Sequence, residues 1–188
     1  MTNLAEDLRQ AADAVALLGS SSADLAALPD AEVLAGQKRI ASIRRLVETY
    51  AALMAATIAE RSRPELGHSG LAAQQGFLSP EALIQNATGS SKGDAYKLVA
   101  VGTMMADTLV AAALSSPNAE AAEAVRFVAK VPWQAPIARA VTAGTLSVDA
   151  AESIRTGLGQ IDAAVTAEKL GAALEALLAL VLIAVVPT

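Results

Sequence analysis

Few side chains in this chain could break a bond. There is one histidine, His68, and no cysteine. A thiolate nucleophile, a Cys-ligated zinc and a disulfide framework are therefore excluded, and so is any two-histidine metal site. His68 lies in Pro-Glu-Leu-Gly-His-Ser-Gly, next to Ser69 and three residues after Glu65. A catalytic base there would need a nucleophile and an orienting acid in contact with it. Chain neighbours seldom face each other, so the pattern favours a loop histidine bonded locally. The run Gly-Ser-Ser-Lys-Gly at 89–93 has the flavour of a phosphate-binding turn at a helix start. It lacks the full P-loop pattern and no strand precedes it. The expectation is no catalytic residue, no metal, no cofactor and no small-molecule ligand.

What remains is recognition by surface. Residues 80–105 read as helix, glycine turn, helix, the order of a helix-turn-helix. On that reading Ser90, Ser91, Lys92 and Lys97 offer themselves to a major groove, with Asp94 working against them. Arg61 and Arg63 could reach backbone phosphates. The favoured reading of the same residues is a plain corner between two helices, since glycine-broken helix pairs are very common. A second glycine-broken pair, 134–143 and 147–158, carries Arg139 and Arg155 but also Asp149 and Glu152, and reads as simple packing. Net charge is −5, distributed as −5 over residues 1–35, +3 over 36–100 and −3 over 101–188. The whole chain is not a simple basic nucleic-acid binder. Only its middle is locally basic.

The elements that must position these residues are helices. Alanine accounts for 45 of 188 residues and aromatics for 3%. That suits close-packed helices and argues against a sandwich or barrel. The fold class is all-α, with about seven or eight helices around one long helix at about 30–61. A first helix spans 3–18. The long helix starts at Pro29-Asp30 with Asp30 as cap, and Arg61-Ser-Arg-Pro64 stops it. Short helices follow: one capped by Ser69, one from Ser79-Pro80-Glu81 to Gly89, and one from Ser91 to about Leu114, where Asp94 approximates a capping box. Further helices cover 119–131, 134–143, 147–158 and about 162–185. Trp133 packs at a helix junction.

Val33, Gly36, Ile40, Ile43, Val47, Tyr50, Met54 and Thr57 alternate three and four apart along the long helix. Such a seam must be covered. The favoured reading is that the helices at 91–114 and 162–185 cover it; the other is a homodimer, formed through the apolar tail or through the long helix with Val33, Ile40, Ile43, Val47, Tyr50 and Met54 as its seam.

Two spaced blocks carry a family resemblance. One is RSRPELGHSGLAAQQGFLSPEALIQNATGSSKGDAYKLVAVG from Arg61. The other is PIARAVTAGTLSVDAAESI from Pro136. Together they resemble domain-of-unknown-function family 222, a helical domain common in actinobacterial proteins and usually found ahead of an HNH endonuclease module. The resemblance covers about residues 25–175. It implies association with DNA-processing proteins, with DNA as a partner. An HNH module needs paired His and Asn residues around a metal, and this chain supplies none. The resemblance thus suggests a non-catalytic interaction module, read as a truncated family member. One alternative is part of an HNH endonuclease whose catalytic module lies outside this chain.

The division expected is 1–24 as an N-terminal helix and linker, 25–175 as the helical family domain, and 176–188 as an apolar tail. Ala176–Val186 is an unbroken apolar run, short of the roughly 20 residues that cross a bilayer. It reads first as a buried terminal helix, with a tail anchor as the further alternative. The start, MTNLAEDLRQ, has no secretory pattern. A cytoplasmic location follows, and a membrane is not the expected partner.

Overall fold

A computed structural model describes residues 4–114, 133–159 and 166–185. The expected helix at 119–131 and the end of the chain beyond 185 lie outside these residues. The protein is all-α, and among the described residues there is no strand. The elements are α1 (Leu4–Ala16), α2 (Ser22–Ala26), α3 (Asp30–Glu60), a 3-10 turn (Pro64–Ser69), α4 (Leu71–Gln74), α5 (Pro80–Thr88), α6 (Lys92–Leu114), α7 (Ala135–Thr142), α8 (Val148–Gly157) and α9 (Ala167–Val185).

The helix starts follow local chemistry. The Ser79 hydroxyl accepts from the Ala82 amide, and Pro80 takes the first helical position. Ser147 caps α8 in the same way through the Ala150 amide. Ser91 accepts from the Asp94 amide, and its hydroxyl donates to the Asp94 carboxylate at 2.7 Å. Two expected caps fall elsewhere. Pro29 is the cap of α3 and Asp30 its first residue. Gly70 caps α4, because the Ser69 hydroxyl donates backwards to the Leu66 carbonyl. The turns at 22–26 and 64–69 are additional to the expected elements. In α2, Ser21 and Asp24 form a reciprocal capping box, a three-residue signal easily lost among neighbouring serines.

The core forms where α6 meets α3, α5, α7 and α8. Val101, Met104, Met105, Ile137, Val141, Leu146 and Val148 are buried there. Leu174 and Leu178 bring α9 into the same cluster, and Trp133 packs on its margin. A smaller cluster joins Ala55, Ile84 and Ala95. α3 enters this core through Leu46, Thr49, Ala52, Ala55 and Ala56. These are mostly alanines, so the helix axes approach closely. A Cβ on Gly102 would stand 1.9 Å from the Ala52 carbonyl oxygen.

This placement corrects one expectation. α6 does pack along α3, but against the alanine side and not against the large apolar seam. Residues 46, 49, 52 and 56 lie about half a turn round the helix from 33, 40, 47 and 54, at about 100° per residue. Val33, Ile40, Val47 and Met54 are consequently 47%, 38%, 49% and 62% exposed. Ile43 and Tyr50 are half-buried.

Candidate functional site

The basic residues singled out in the sequence fall into two groups. Arg61 and Arg63 follow the last turn of α3. They line a groove of about 730 Å³ with Leu53, Thr57, Asp107 and Val110. Arg63 pairs with Glu60 at 3.2 Å. Ser90, Ser91 and Lys92 sit at the opposite end of α6, at its start. Ser90 is engaged with the Thr88 hydroxyl at 2.8 Å. Ser91 is spent on capping Asp94. A carboxylate thus occupies the N-terminal turn that an incoming phosphate would need. Lys92 is exposed.

Lys97 is not a free cation. Its ammonium bonds the Asp149 carboxylate on α8, with Asp94 3.9 Å away. The Asp149 hydrogen bond holds the Lys97 pKa above the ordinary lysine value. Beside it, Arg155 grips the buried Glu152 through two bonds of 2.7 and 2.8 Å. The Glu152 bond is likewise the main cause holding the Arg155 proton more tightly than usual. The Lys97–Asp149 pair links α6 to α8, with Asp94 beside it on α6, while Glu152 and Arg155 pair within α8. The sequence pattern treated 80–105 and 134–158 as two separate helix pairs. The cross-link between them spans 52 residues, and no local spacing could reveal it.

His68 is exposed in the 3-10 turn. Ser69, its neighbour, bonds Leu66 instead. Among the described residues no three His, Asp or Glu side chains gather where a metal ion could sit.

The most conspicuous surface feature is the outer side of α3. Val33, Ile40, Val47 and Met54 recur every seven residues over three heptads, all exposed. α1 packs along part of this side, with Leu18 seated on Gly36 of the same seam. α3 is therefore apolar on two sides, one serving the core and one left partly open. A helix apolar on both sides ordinarily has both covered.

Apolar length alone also marks Lys92–Ala113 as long enough to cross a membrane. Val101, Met104 and Met105 of this helix are buried in the core, while Leu109 and Val110 are 57% and 59% exposed. No protein-family model, curated protein or solved structure matches the chain.

Proposed function

We propose that this chain is a non-catalytic association module whose working surface is the outer side of α3. The observation that carries the reading is the exposed heptad row Val33, Ile40, Val47 and Met54. Water-facing apolar rows of this length are costly unless a partner covers them. The family resemblance, on this reading, makes the module one that accompanies HNH nucleases. Protein is the favoured partner over DNA, because Lys97 is held by Asp149 and the start of α6 carries Asp94.

The test is a photo-crosslinking residue placed at Met54 in the cell, with Gln74, also exposed, as the control position. Protein adducts from position 54 and none from position 74 are expected. Failure of position 54 to trap protein overturns the reading. So does a metal-dependent nick in plasmid DNA made by the purified chain, which would place it among the enzymes instead.

A further inference from the structure

We draw no further inference here: the strongest candidate, the groove of about 730 Å³ beside the end of α3 that Leu53, Leu109 and Val110 line, sets Arg61 and Arg63 against Glu60 and Asp107 on the same walls, and nothing in the structure shows what covers it.

Discussion

Thr49 holds two elements together through one hydroxyl. It is fully buried, and its Oγ1 lies 2.9 Å from both the Arg45 carbonyl of its own helix and the Val141 carbonyl of α7. The Val141 carbonyl sits in the last turn of α7, where helical partners run out. Arg45 works beside it, donating from Nε to the Gly144 carbonyl. Gly144 has φ 65° there, a backbone state that suits glycine. The Val141 carbonyl also accepts from the Gly144 amide at 2.9 Å, so the Thr49 hydroxyl is its second donor. Thr49→Val keeps the shape and leaves that carbonyl bonded to Gly144, removing one buried hydrogen bond. The net worth of such a bond is about 0.5–1.5 kcal/mol. Urea unfolding should show a loss in that range with an unchanged slope. A loss near zero would mean that the shared hydroxyl contributes little. Neither partner of Thr49 was visible in the sequence, because a threonine in mid-helix carries no mark of the carbonyl 92 residues away that it reaches.

Among the elements, those bounded by a cap and a glycine were the legible ones. Ser79-Pro80, Gly89, Ser91 and Ser147 stand where the structure uses them. The long helix was legible in extent and misread in orientation. Its large side chains drew the apolar seam, whereas its packed side is built from alanines, which add little to any hydrophobic pattern yet set how close two helices come. Gly102 is the counterpart on α6. In an exposed helix, Gly→Ala would add roughly 1 kcal/mol of stability through propensity. Here the added methyl would meet the Ala52 carbonyl at 1.9 Å, with the Ala56 Cβ at 3.2 Å. Neither is the far end of a flexible side chain, so α3 and α6 must separate. Gly102→Ala should therefore destabilise the protein by on the order of 3 kcal/mol. Thermal denaturation decides the sign. A raised melting temperature would mean that the α3–α6 contact is looser than its geometry requires.

Over the whole molecule, stability is expected to divide into two zones. α3, α6, α7 and α8 share the main core, while α1 and α2 contribute no buried residue. α1 is held by its contact along α3 and by exposed ion pairs such as Arg9–Glu6 at 2.6 Å, which stabilise little in water. α2 depends on Asp24. The Ser20 amide, with help from the Ser21 hydroxyl and amide, holds the Asp24 carboxyl below its ordinary value of 3.8. A depressed carboxylate stabilises the folded state fully above the unfolded pKa. That contribution is lost as the pH falls through the lower folded value. Acid should thus open the N-terminal pair at a pH where the core still holds. Hydrogen exchange, corrected for intrinsic rates, is expected to show the Ser20 and Ser21 amides holding their protection above the ordinary value of 3.8 and losing it as the pH falls below that value. Val101 and Ile137 should stay protected. In Asp24→Asn, the Ser20 and Ser21 amides should exchange faster at all pH values and lose the acid-dependent part. If that variant keeps the same acid response, the opening belongs to other carboxylates.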